Sequence, residues 1–205
     1  MSNTLPPLAL SSGGWEPPPN RKRFTRKECE FLEQNGLLKG RYELIDGEII
    51  YKMPQNPPHI FTLAIIAEWL RSLFGGLYVI TQSSIDVDVV DPEINEPEPD
   101  IFVLAQPITA FAARNIVSSD LILLVEVSET TLRYDLRNKA ALYARAGIIE
   151  YWVADISGRR FIVHRNPGAD GYAQVTEYTA DETVSPLARP DTAVRVADLL
   201  PPAQL

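Results

Sequence analysis

Residues 121–127, LILLVEV, carry six aliphatic side chains and one carboxylate. A run this short and this apolar reads as a buried strand. Alternation puts Leu121, Leu123, Val125 and Val127 on one face and Ile122, Leu124, Glu126 and Ser128 on the other. Glu126 therefore stands near the C-terminal end of a strand, where its face leaves the core. An ionised carboxylate there is costly unless it is paired or binds a metal. Functional residues in α/β sheets favour that end of the strands.

The segments around this strand limit the architecture. Thr25-Arg26-Lys27-Glu28 fits a capping box that opens a helix to about Asn35, with Gly36 as the stop. In YELIDGEIIYK, Asp46-Gly47 sits between two β-rich arms and predicts a hairpin. Pro57 and Pro58 precede a helix over 59–74. Residues 78–90 read as extended; in IDVDVV, Ile85, Val87 and Val89 take one face, and Asp86 and Asp88 a solvated one. A proline-broken acidic loop leads to the strand DIFVL. Residues 105–119 read as loop. A helix follows LILLVEV over 132–146, stopped by Gly147, and then come EYWVAD, FIVHR and YAQVTEY. Tyr151 and Trp152 read as packing residues, and His164, alternating with apolar neighbours, as a surface residue. The order predicts an α/β (α+β) fold, a mixed central β-sheet flanked by helices, with an N-terminal helix and β-hairpin and C-terminal strands.

With 205 residues, one domain is expected over 24–205, behind a disordered proline-rich tail at 1–23. No apolar stretch approaches the ~20 residues of a membrane helix, and the N-terminus lacks the pattern of a secretory signal. One cysteine, Cys29, cannot make an internal disulfide, so a reducing cytoplasm is the default. One cysteine and two scattered histidines also argue against zinc. The net charge of −8 counts against simple nucleic-acid binding. The charge is uneven: residues 91–100 hold five acids and no base, and residues 21–27 five bases and no acid. Each run alone reads first as solvated loop charge, with a cation-binding rim as the alternative for the first and a backbone-contacting patch for the second.

Asp100 opens DIFVL at the mouth of an apolar strand. If that strand lies beside 121–127, Asp100 and Glu126 converge. Two carboxylates ~4 Å apart repel by ~4 kcal/mol at an effective dielectric of ~20. A bound Mg²⁺ or Mn²⁺ turns that repulsion into the reason for the arrangement, since such ions take oxygen ligands. On the following helix, with Leu132 at 0°, Leu136 falls at about 40°, Tyr143 at about 20° and Lys139 at about −20°, inside the apolar stripe. This lysine either makes an ordinary i,i+4 pair with Asp135, or faces the two acids, where it can hold a phosphate or orient a water.

Asp100, Glu126 and a nearby lysine are the working parts of PD-(D/E)XK nucleases. The blocks YELIDGEII, Pro99-Asp100 with IFVL, VEVSETT, then Asp135, Lys139, Tyr143 and AGIIEYWVAD closely resemble the Uma-type restriction endonuclease family, of restriction-endonuclease-like fold. The resemblance runs from about Phe24 to Leu199. It implies a metal-dependent endonuclease that hydrolyses phosphodiester bonds in DNA, with Mg²⁺ or Mn²⁺ as cofactor. Asp100 matches the principal metal ligand and Glu126 the acid that shares the metal. The Val127 carbonyl would complete the site. The usual lysine slot, two after the acid, holds Ser128, and Lys139 matches the lysine this family places on the next helix. Glu43 matches a further family acid, binding metal directly or through water, and His59 a position usually held by histidine. Nucleases that cut both strands are commonly homodimers. The acidic balance and Ser128 leave an alternative, a catalytically weak or inactive nuclease-fold module that binds nucleic acid or protein.

Overall fold

The computed structural model describes residues 20–87 and 91–203. Helix α1 (Arg26–Gln34) opens on a capping box: the Thr25 side chain accepts from the Glu28 amide, and the Glu28 carboxylate accepts from the Thr25 amide. Strands β1 (Tyr42–Ile45) and β2 (Glu48–Tyr51) form the hairpin in the register set by Asp46-Gly47, with Ile45 opposite Glu48 and Glu43 opposite Ile50. Both turn residues have positive φ. Gly47 is required twice over, because a Cβ there would lie 2.6 Å from the Arg23 Cβ as the incoming chain crosses the turn.

Helix α2 (Pro57–Phe74) starts on Asn56, with its prolines inside the first turn, where an amide is not needed. The main sheet has six strands in the order β3-β4-β5-β6-β7-β8: β3 (Val79–Thr81), β4 (Ile101–Leu104), β5 (Leu121–Ser128), β6 (Glu150–Asp155), β7 (Arg160–Gly168) and β8 (Gly171–Thr179). Only β5 and β6 are parallel. The helix predicted between them is present but broken into α3 (Leu132–Tyr134), a π-helical turn (Asp135–Lys139) and α4 (Ala140–Arg145). Two short strands, β9 (Thr183–Val184) and β10 (Val194–Arg195), and a 3₁₀ turn close the described chain.

The sheet is covered on both faces. Ile66, Ala67 and Leu70 of α2 pack with Val103, Val125, Val127 and Trp152 on one side. Leu142, Tyr143 and Ala144 pack with Phe102, Leu124, Tyr151 and Val153 on the other. Cys29, Leu38 and Leu44 make a small third cluster under α1 and the hairpin.

Four expectations are corrected. His164 is buried, 5% exposed, and stacks on Tyr151, because α4 covers the face of β7 that alternation alone leaves wet. Of residues 78–87, three form β3, since Gln82 turns to positive φ and ends it, and Asp86 makes an isolated bridge to Val117. Leu121 leaves the face of Leu123 and Val125 and joins the Leu124 cluster, at a register shift in the β4–β5 ladder. Asp86 is not a solvated side chain: it receives Arg26 at 2.8 Å and Asn115 at 2.9 Å. Asp88 and Val89 lie outside the described residues, as does the tail up to residue 19.

Candidate active site

Ile101 pairs with Val125 across antiparallel strands, and the same register carries Asp100 opposite Glu126. The Asp100 Oδ2 accepts the Val127 amide at 2.9 Å and lies 3.4 Å from His59 Nε2, which enters from the first turn of α2. Strand residues send their N–H and C=O to the same neighbour, so the Val127 carbonyl also belongs to the Asp100 edge.

Glu126 is 2% exposed. Its Oε1 accepts from Lys139 Nζ at 2.9 Å and from Tyr143 Oη at 2.8 Å. Lys139 reaches it from the π turn and lies equally close, 3.0 Å, to Glu43 Oε1 on β1. Glu43 in turn accepts the Glu98 amide at 3.2 Å and has Lys52 Nζ at 3.7 Å. The i,i+4 alternative for Lys139 is not what forms: Asp135 is buried and accepts instead from the Thr131 hydroxyl at 2.6 Å. The π turn is held from the sheet, where the Tyr151 hydroxyl donates to the Asp135 carbonyl at 3.1 Å.

Burial pushes the Glu126 carboxyl up to about 8, against the pull of Lys139 and with the help of Asp100. Burial also works on Asp100, but the His59 contact and the charges of Lys52 and Lys139 outweigh it and hold that acid below its ordinary value. Burial disfavours the Lys139 ammonium, yet Glu126, Glu43, Asp135 and Asp100 together hold it well above its usual pKa. For Asp135, burial wins and raises the carboxyl.

Asp100, Glu126, Val127, Lys139, Glu43, His59 and Asp135 all line one cavity of about 320 Å³ between the hairpin and the sheet. Ser128 stands beside it, its hydroxyl 3.4 Å from that of Thr131. The sequence reading missed Lys52. The hairpin register places it diagonal to Glu43 on the same face, so the Asp46-Gly47 turn was signal enough. It also missed Tyr143 as a ligand of Glu126.

The acidic run is partly neutralised inside the molecule: Arg26 meets Glu96 at 3.1 Å, and Arg41 pairs with Glu98. Most of the basic run is paired likewise, with Arg21 on Glu48, Lys22 on Glu28 and Arg23 on Asp46. Among the described residues, no three His, Cys, Asp or Glu side chains gather as a metal-binding group. The donor set still suits a hard cation. Asp100, Glu126 and a carbonyl offer only oxygen, Mg²⁺ is commonly held by one or two carboxylates with waters and substrate completing its shell, and Glu126 keeps Oε2 clear of both short contacts.

A mixed six-stranded sheet flanked by helices, with two acids meeting on adjacent interior strands, matches the restriction-endonuclease-like class of folds. The profile of the Uma2 family, described as "Putative restriction endonuclease", matches residues 30–197, and the chain belongs to that family. The fold is similar to the crystal structure of a putative nuclease from Anabaena variabilis, with a TM-score of 0.61 and 15% identity over 82% of this chain and 96% of that one. No curated protein sequence matches the chain.

Proposed function

We propose that the protein is a metal-dependent endonuclease that hydrolyses phosphodiester bonds in DNA. The observation that carries this is the meeting of Asp100, Glu126 and Lys139, from three separate elements, on one cavity. Asp100, Glu126 and the Val127 carbonyl would hold Mg²⁺ or Mn²⁺. When bound, such an ion offsets charge on a phosphoryl oxygen and lowers the pKa of a bound water. Lys139 supplies positive charge that offsets the negative charge the phosphate gains as the bond breaks. Glu43 fixes where that ammonium sits, and Tyr143 fixes the Glu126 carboxylate. His59 orients Asp100 from α2. Asp135, with Ser128 and Thr131 beside it, supports the turn that carries Lys139.

One observation favours a second reading, a binding module with little catalysis: Lys139 is fully engaged by Glu126 and Glu43. A Mn²⁺-dependent cleavage assay on single-stranded, duplex and branched DNA separates the two. The nuclease reading expects cleavage that Glu126→Ala and Lys139→Ala both remove. Cleavage that survives in purified Glu126→Ala protein removes the assignment, and binding without cleavage in the parent protein selects the module. Gel filtration of the parent protein tests the expected homodimer.

A further inference from the structure

Tyr134 also lines the cavity, and its hydroxyl is buried with no hydrogen-bond partner among the described residues. A hydroxyl removed from water and left unbonded destabilises the folded chain unless something else supplies the bond. The charged and amide donors closest to it are committed, while the buried Nδ1 of His59 on the same cavity also lacks a partner among the described residues. Lys139 is shared by Glu126 and Glu43, Lys52 donates to the Glu98 carbonyl at 2.6 Å, Arg41 is paired with Glu98, and the Asn56 amide donates to Glu129.

The backbone reinforces the point. Tyr134 and Lys139 are five residues apart, which on a regular α-helix is about 140° of rotation. They face one cavity because the π turn over Asp135–Lys139 lies between them. Its i→i+5 spacing brings residues five apart toward one side, and such turns are frequent at functional sites. The same backbone irregularity that aims the lysine at Glu126 thus aims a neutral donor into the space beside it.

We propose that the Tyr134 hydroxyl binds substrate directly, donating a hydrogen bond to a non-bridging oxygen of the phosphate under attack. This rests on the nuclease reading above. A neutral donor escapes capture by Glu43 and Glu126, which hold the Lys139 ammonium on the same cavity, and its bond to an anionic phosphate oxygen is charge-assisted.

The test is Tyr134→Phe, which removes one oxygen and keeps the ring. Three quantities are read: melting temperature, kcat and KM for DNA cleavage, and anisotropy of a fluorescein-labelled DNA oligonucleotide with Ca²⁺ replacing Mg²⁺. The variant is expected to melt at the same temperature or higher, since no bond of the free protein is lost. Its kcat/KM is expected to fall at least tenfold, and its oligonucleotide affinity several-fold. Unchanged cleavage and binding overturn the proposal. So does lost cleavage with a lowered melting temperature, which marks the hydroxyl as structural. A parent protein that cleaves no DNA defeats the nuclease reading instead. The binding arm then decides for Tyr134 alone, and equal binding by the two proteins, or binding by neither, overturns it.

Discussion

Lys139 Nζ lies 2.9 Å from Glu126 Oε1, with both side chains nearly sealed from solvent. With Glu43 on its other side, the ammonium joins a charge triad drawn from a helix, a strand and a hairpin. Removing one member of a buried charge group typically costs about 3–5 kcal/mol, because the remaining charge loses its partner. Lys139→Ala is expected to lose stability of that order in urea unfolding, along with all cleavage. The Lys139→Met, Glu43→Gln double variant is expected to recover part of the stability and none of the activity. Equal stability of the single and double variants contradicts the triad.

Metal should act through Asp100. Saturating Mg²⁺ or Mn²⁺ stabilises a native-only binder by about 2.7 kcal/mol at ~100 times Kd, enough to raise the melting temperature by several degrees. Asp100→Asn is expected to abolish that rise. A parent protein whose melting temperature ignores both ions points to the binding-module reading.

His164 supplies a pH dependence away from the site. Burial pushes its imidazole down to about 4 from 6.5, against the main-chain carbonyls of Tyr151 and Ile162. Between those values the unfolded chain binds the proton and the folded chain does not, so stability rises with pH through that window and is lost as pH falls. The full span is worth roughly 3 kcal/mol. His164→Phe keeps the aromatic stack and is expected to flatten this part of the stability–pH curve. An unchanged slope in the variant assigns it to other groups.

Tyr151→Phe tests how the π turn is held. The lost hydrogen bond to the Asp135 carbonyl is expected to cost about 1 kcal/mol. Because that turn places Lys139, cleavage is expected to fall more than substrate binding. Full activity with reduced stability would show that the turn keeps its shape unaided.

Much of this was legible in the chain. Local chemistry announced the capping box at Thr25, the hairpin at Asp46-Gly47 and the buried strand around Glu126, because each depends on neighbours in sequence. The Asp100–Glu126 convergence was legible as soon as their strands were taken as adjacent. The π turn was not, since no residue of DLRNK forbids a regular helix, and the brace comes from Tyr151 on a later strand. A regular wheel still placed Lys139 inward, as the apolar stripe was broad enough to absorb the change. His164 was misplaced because alternation reveals two faces and not whether both are covered. The basic run at 21–27 hid its partners on the hairpin, α1 and the 86–96 segment, which only the folded chain brings near.

The hairpin and the main sheet are separate sheets, and Lys139 reaches across the gap to an acid on each. That one ammonium therefore fastens the two sheets to each other as well as charging the groove between them, so any substitution there is felt in both layers at once.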